Sequence, residues 1–297
     1  MMMDIGLVVF GGLSWAMATF LVAAGLTLIF GILHILNFAH GGFFMVGAYL
    51  AWAMIEALGG GVSIWTYIAV ALVSGAVVGA LGVLVDVTIF RRLRDVEDAY
   101  ALIATYALLM VCIGAIELIW GLDFRAIMPP EALNSALFIG DLIAPTFTIF
   151  IIVCGVVVYV ALEVFMARTE TGKLVRIVAH DAWMARLLGL DVTRIYLITV
   201  VISFALAGLA GGLLVANQGL SPELGGVFLL QAFGVVIVGG MGSIRGAFLA
   251  ALLLGQIESI GGMLFPNYPG IFYLVALAGL LLIRPQGLLT KGRTEWV

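Results

Sequence analysis

Charge is scarce in this sequence. Asp, Glu, Lys and Arg make up 10% of its 297 residues, against roughly a quarter in an average soluble domain. Cysteine is nearly absent. Cys112 and Cys154 both lie inside apolar runs, which gives neither a disulfide framework nor metal-ligand spacing and leaves packing as their expected role. Histidine is equally sparse. His34 and His40 stand six residues apart with no nearby Cys or carboxylate, so they lack the i, i+4 geometry of a helical metal pair. Catalytic motifs are missing too: there is no G-x-S-x-G, no H-E-x-x-H and no pair of intramembrane aspartates. These absences argue against an intramembrane enzyme. GKLV at Gly172 to Val175 lacks the Ser or Thr after Lys and the earlier Gly of a phosphate loop, so any ATP-driven work falls to a partner. No cofactor, metal or nucleic-acid partner is expected.

What is present is hydrocarbon. Hydrophobic residues supply 64% of the chain, and helical spans of about 20 residues each cross roughly 30 Å of lipid core. Apolar stretches fall at Ile5 to Leu33, Gly42 to Leu58, Val62 to Phe90, Ala99 to Gly121, Ile139 to Met166, Ile195 to Asn217, Gly225 to Gly239, Gly246 to Gly262 and Tyr268 to Ile283. The expected fold is all-α: a polytopic membrane protein of about eight or nine transmembrane helices, forming one permease domain over 1–297. Gly42 to Leu58 and Gly225 to Gly239 are short for full spans, so glycine-rich broken or re-entrant segments are expected there. The N-terminus, MMMDIGLVVFGG, has no Lys or Arg and no small-residue cleavage site, and is expected to open the first span.

One long segment is too polar for lipid. Arg168 to Arg194 holds eight of the chain's thirty charged residues. With nine spans and the N-terminus outside, Arg91, Arg92, Arg94, Arg168, Lys173, Arg176, Arg186, Arg194, Arg245, Arg284, Lys291 and Arg293 sort to the inside and only Arg125 to the outside. The positive-inside rule therefore places this loop and the C-terminus in the cytoplasm. Inside the loop Leu174, Ile177, Val178, Met184, Ala185 and Leu188 recur near helical spacing, which predicts one or two short amphipathic helices. Thr169 or Thr171 can cap the start, Gly189 the end, and Asp191 or Thr193 the next span. Such a loop can rest on anionic lipid or dock an apolar ridge in a groove on a cytoplasmic protein. The main outer loop, Gly121 to Gly140, contains Pro129 and Pro130 and is expected to be solvated, with Met128 and Leu133 as its candidate contacts.

Two glycine-rich steps interrupt apolar runs. The first, FGILHILNFAHGGFFMVGAY, contains Asn37, His40, Gly41 and Gly42; the second, VVIVGGMGSIRG, contains Gly239, Gly240, Gly242 and Gly246. Freed backbone groups at membrane depth need protein or a water-filled cavity around them. Each step is thus either a broken helix beside a translocation path or a plain turn. The candidate path residues are Asn37, His40, Gly41, Gly42, Gln231, Gly240 and Gly242. IEALGG at Ile55 to Gly60 and IESIGG at Ile257 to Gly262 also rhyme, as a parallel repeat would. Other glycines, such as Gly75, Gly79, Gly208 and Gly212, suit close helix packing. Glu56, Glu117, Glu258, Asn217, Gln218 and Glu223 fall towards the outer ends of spans, with Gln256 deeper.

The segments GLTLIFGILHILNFAHGGFFMVGAYLA, TGKLVRIVAHDAWMARLLGLDVTR, LAGLAGGLL, VVIVGGMGSIRGAFLAALLLGQIE and IRPQGLL resemble the LivH-type permease of branched-chain amino-acid ABC importers. The joint occurrence of NFAHG, the A-x-x-L-G-L loop and GGMGSIRG carries the resemblance over nearly the whole chain. It implies an inner-membrane subunit that works by alternating access with a LivM-like second permease, two cytoplasmic ABC ATPases and a periplasmic substrate-binding protein. It also implies that the stretch from Ala179 to Leu190, with His180, Asp181, Ala185, Arg186, Leu188 and Gly189, contacts an ATPase. Branched-chain amino acids are the implied cargo, with urea, short amides and small carboxylates as the alternatives found in the wider family. A passive aquaporin-like channel, suggested by Asn37 in NFA, lacks the expected pair of N-P-A motifs.

Overall fold

Caps and glycines set the helix ends in this computed structural model, which describes residues 2–94, 96–139 and 142–289. The chain opens with α1 (Met2–Leu33), then α2 (Ala39–Ala57) and α3 (Ile64–Val85). Ser63 caps α3 by accepting the Thr66 N–H at 3.2 Å, which satisfies one of the N–H groups a helix start leaves free. A π turn, Asp86–Phe90, and a last short turn, α4 (Arg91–Leu93), extend α3. Next come α5 (Asp98–Trp120), the strands β1 (Ala136–Ile139) and β2 (Leu142–Pro145), and α6 (Thr146–Arg168). The loop helices α7 (Glu170–His180) and α8 (Ala182–Leu187) lead into α9 (Val192–Leu214), α10 (Leu224–Gly239), α11 (Ile244–Leu264) and α12 (Ile271–Ile283).

Every apolar stretch in the sequence becomes a helix. Among the described residues six helices are long and apolar enough to cross a membrane by length and composition, and α10 and α12 are shorter apolar helices. One boundary differs from expectation. The stretch beginning at Ile139 opens as an antiparallel hairpin, Ala136 paired with Pro145 and Leu137 with Ala144, and α6 starts only at Thr146. Pro145 supplies the reason: it has no N–H to give an earlier turn, and its fixed φ suits the residue just before a helix.

Burial grades outward from α1. Its apolar window is 89% buried, whereas those of α5 and α6 are 22% and 17% buried. Association of helices in lipid depends on close packing of small residues and on interhelical hydrogen bonds. Both are here. A Cβ on Gly47 would meet the Gly208 backbone at 2.5 Å, and one on Gly75 the Ala205 carbonyl at 2.9 Å. Gln256 Nε2 donates to the Val9 carbonyl at 3.2 Å and Ser259 Oγ to the Val8 carbonyl at 2.7 Å, tying α11 to α1. Glu258 accepts the Gly270 and Tyr273 N–H groups at 2.6 and 2.9 Å, and so caps α12 from the side of α11.

One helix, α2, begins in the interior. With 32 residues, α1 runs for about 48 Å at 1.5 Å per residue, well beyond the roughly 30 Å lipid core. After Leu33 the chain doubles back. His34 takes a left-handed φ of 55°, and by His40 the chain is level with Val22, whose carbonyl accepts from His40 Nε2 at 3.0 Å. The start of α2 thus lies well inside the end of α1, as a broken segment rather than a surface turn. The start of α10 lies against it: Gly225 packs on Gly41 and Met45, and the Phe233 ring sits 5.1 Å from that of Phe38. The first turns of α2 and α10 therefore overlap in opposite directions. By contrast, the second glycine-rich step is a turn level with the end of α1, where Gly242, at φ +85°, meets the Gly31 backbone.

Candidate coupling surface and translocation route

The polar loop folds as two short helices with two faces. Thr169 starts α7 by accepting the Gly172 N–H at 2.9 Å, Asp181 starts α8 by accepting from Met184 N at 2.8 Å, and Asp191 starts α9 by accepting from Arg194 N at 3.0 Å. Gly189, at φ 81°, ends α8. Its N–H bonds the Arg186 carbonyl at 3.0 Å, and the Leu190 N–H bonds the Ala185 carbonyl at 3.1 Å, the double bond pattern of a Schellman cap. A Cβ at Gly172 would collide with the Phe165 carbonyl, so only glycine lets α7 fold back this tightly on α6.

The inward face anchors the loop. Val175, Val178 and Ala185 are buried with Leu28 and Ile32 of α1 and with Val192, Ile195 and Tyr196 of α9; Leu174, Ala179 and Leu190 pack beside them. The outward face carries large apolar side chains. Trp183 is 66%, Leu187 63% and Leu188 70% exposed, and Ile177 and Met184 are exposed beside them. His180, Asp181, Arg186 and Gly189 share that exposed face. Of the eight residues expected at a partner contact, Ala185 is therefore an anchor, and Ala179 and Leu190 are half-buried. Trp183 and Leu187 lie within the expected stretch from Ala179 to Leu190 but were not singled out, because Trp183 precedes the A-x-x-L-G-L pattern and Leu187 is one of its unspecified positions.

The expected path residues separate into three places. Asn37, His40, Gly41 and Gly42 are buried at the start of α2, with Gly41 against Gly225 and Gly42 against Cys112. Gly240 is buried and Gly242 exposed in the turn before α11. Gln231 alone among the seven lines a cavity of about 620 Å³ at the hairpin end, together with Thr19, Thr148, Asn217, Gln218 and Phe228. None of the residues lining that cavity is ionisable. Its polar groups are amides and hydroxyls, which can exchange hydrogen bonds with a passing solute without trapping it as a fixed charge would.

A buried ion pair ties the end of α3 to α9. Asp86, fully buried, accepts from Arg91 Nε at 3.0 Å and also pairs with Arg94. The Arg94 guanidinium lies 4.6 Å from the centre of the Tyr196 ring, a cation–π contact, and Tyr196 belongs to the cluster that anchors the loop. At the opposite end Arg125 reaches the Trp120 carbonyl at 3.0 Å and lies over the Trp52 ring at 4.7 Å. Its backbone exchanges two hydrogen bonds with Leu220, so the outer loop is stitched to the segment before α10. In that loop Leu133 is buried and Met128 is exposed.

A helical membrane protein with a broken interior helix, a neutral polar cavity and a two-faced polar loop has the organisation of a permease. Residues 8–284 match the family of branched-chain amino acid transport system permease components, and the chain belongs to that family. It is 29% identical to the high-affinity branched-chain amino acid transport system permease protein LivH of Salmonella typhimurium, over 97% of this chain and 96% of that one. It is 31% identical to BraD of Pseudomonas aeruginosa, over 96% of each chain. It is also 28% identical to the permease protein LivM of Escherichia coli K12, over 93% of this chain and 68% of that one. Among solved structures it resembles PsaBC from Streptococcus pneumoniae in complex with Fab, at a TM-score of 0.50 and 15% identity over 92% of this chain and 89% of that one. These relatives are transport permease subunits, and the chain is classed with them rather than with enzymes.

Proposed function

We propose that this chain is the LivH-like membrane subunit of an ATP-driven importer for branched-chain amino acids or a related small carboxylate, working by alternating access. The observation that carries the proposal is the α7–α8 loop. Its inward face is fastened to the end of α1 while Trp183, Leu187 and Leu188 stand exposed. A helix that only rested on lipid would need no such second anchoring face, whereas a docking element needs both. His180, Asp181, Arg186 and Gly189 form the rim of this contact, Leu188 its apolar part, and Ala179, Ala185 and Leu190 its footing.

In this reading two cytoplasmic ABC ATPases seat on α7–α8, a LivM-like permease completes the membrane unit, and a periplasmic binding protein delivers substrate at the hairpin end. Membrane lipid surrounds the outward faces of α5 and α6. The basic residues orient the chain in a bacterial inner membrane, with α7–α8 and the C-terminus in the cytoplasm; Lys291 and Arg293, which contribute to that count, lie outside the described residues. The route runs from the cavity at Gln231 past Asn37, His40, Gly41 and Gly42 towards the turn at Gly240 and Gly242. Substrate-dependent ATP hydrolysis by the reconstituted complex tests the proposal. Arg186→Glu and Gly189→Asp should each lower it at least tenfold with the complex still assembled, and coupling that survives both would refute the loop assignment.

A further inference from the structure

We propose that the start of α2 is an anion-receptive subsite for the carboxylate of the transported solute, closed in this conformation; the proposal rests on the import function above. Two independent observations meet here. The first is electrostatic: α2, of 19 residues, presents its N-terminus in the interior, where Gly41 packs on Gly225 of α10. That end carries about half a positive charge and favours an anion.

The second observation is chemical. Asn37 is fully buried, and neither its Oδ1 nor its Nδ2 makes a hydrogen bond; His40 Nδ1, also fully buried, has no partner either. Asn37 stands one residue before the N-cap position, which Phe38 occupies, and no side chain caps this helix. An amide buried without partners is costly, and in a protein that changes conformation it marks a group that finds its partner in another state. His34, the only non-glycine with a positive φ among the described residues, holds strain in the same segment. No Asp or Glu lies between Gly6 and Ile55, so neither α1 nor the start of α2 brings a carboxylate of its own; Glu223, which precedes α10, is exposed. When α1 and α10 part, the solute's carboxylate meets the start of α2, with the Asn37 amide donating to it.

Asn37→Leu separates this role from a structural one, because the two predict opposite signs. Leu removes both unpaired polar atoms and keeps the number of side-chain heavy atoms, so the purified chain should melt higher, by on the order of 2–4 °C. Leucine uptake by the complex in proteoliposomes should nonetheless fall at least tenfold. Asn37→Asp, which fixes an anion beside the start of α2, should lose uptake similarly without melting lower. A lower melting temperature for Asn37→Leu, or wild-type uptake by either variant, would overturn the proposal. If the wild-type complex moves no amino acid, the import function fails first; the subsite is then tested by thiol labelling of Asn37→Cys in a chain without Cys112 and Cys154, where an added small carboxylate should slow labelling and an unchanged rate would overturn the proposal.

Discussion

On the proposed docking role of α7–α8, Trp183→Ala should remove much of the affinity of this chain for an ATPase partner. An aromatic side chain buries about 150–250 Å², and Trp183 is 66% exposed, so roughly 100–160 Å² is free to be covered by a partner. At about 25 cal/mol per Å² that surface is worth some 2.5–4 kcal/mol. Ordering and desolvation at the contact take back part of it, which leaves about 2 kcal/mol, the lower edge of an interface hot spot, or close to thirtyfold in Kd. The assay is binding of purified ATPase to the permease in lipid nanodiscs of fixed composition. Trp65→Ala is the control: Trp65 is 78% exposed but lies in the first turn of α3, at the far end of the molecule. Melting temperature should stay unchanged in both variants, since neither side chain is part of the packed core. Equal ATPase affinity for wild type and Trp183→Ala would refute the docking argument, and lost affinity in Trp65→Ala would show that the effect is not local.

Two predictions concern stability. Asp86→Ala leaves Arg94 buried without its counterion, which costs on the order of 3–5 kcal/mol; replacing Arg94 by Leu in the same chain should restore much of the loss, as thermal unfolding of the two variants in detergent will show. Failure of the double variant to recover would mean that Asp86 acts through packing rather than charge. Gly208→Val should prevent assembly of α2 and α3 on α9, because even a Cβ at Gly208 would lie 2.6 Å from Val78 Cβ and 2.9 Å from the Ser74 carbonyl; a monodisperse, wild-type-like protein on size exclusion would contradict this.

Periodicity and punctuation located the helices because most of the apolar runs are bounded by a cap or glycine that physics assigns to a helix end. Thr169, Asp181, Asp191 and Gly189 do in the structure what their side chains or backbone freedom allow. Depth was not legible in the same way. Nothing local says that α2 starts beside Val22, since that depends on the chain doubling back after Leu33 and on a hydrogen bond between residues 18 apart. The hairpin was hidden because Leu142, Ile143 and Ala144 are as apolar as the helix that follows. The Asp86 cluster was hidden because its partners lie across a π turn and on α9, far away in sequence. At the loop, helical spacing found an apolar stripe, but only packing on α1 divides it into an anchoring face and an exposed one.

That division bears on how force would reach the membrane interior. Val175, Val178 and Ala185 rest on Leu28 and Ile32, the last turns of α1, and α1 leads directly into the segment that carries His34 and Asn37. Tyr196, in the same cluster, holds the Arg94 guanidinium and through it the buried Asp86 at the end of α3. A partner that displaces α7–α8 therefore shifts the ends of α1, α3 and α9 together, because packed clusters move as bodies rather than deform. Of these three, α3 with its extension ends at Arg94, whose Nε is unpaired, and α1 leads into the segment that holds the unpaired Asn37 amide. The elements that hold the loop rigid are thus also those whose movement would open the start of α2, which places Asn37 one short segment away from the surface a partner would grip.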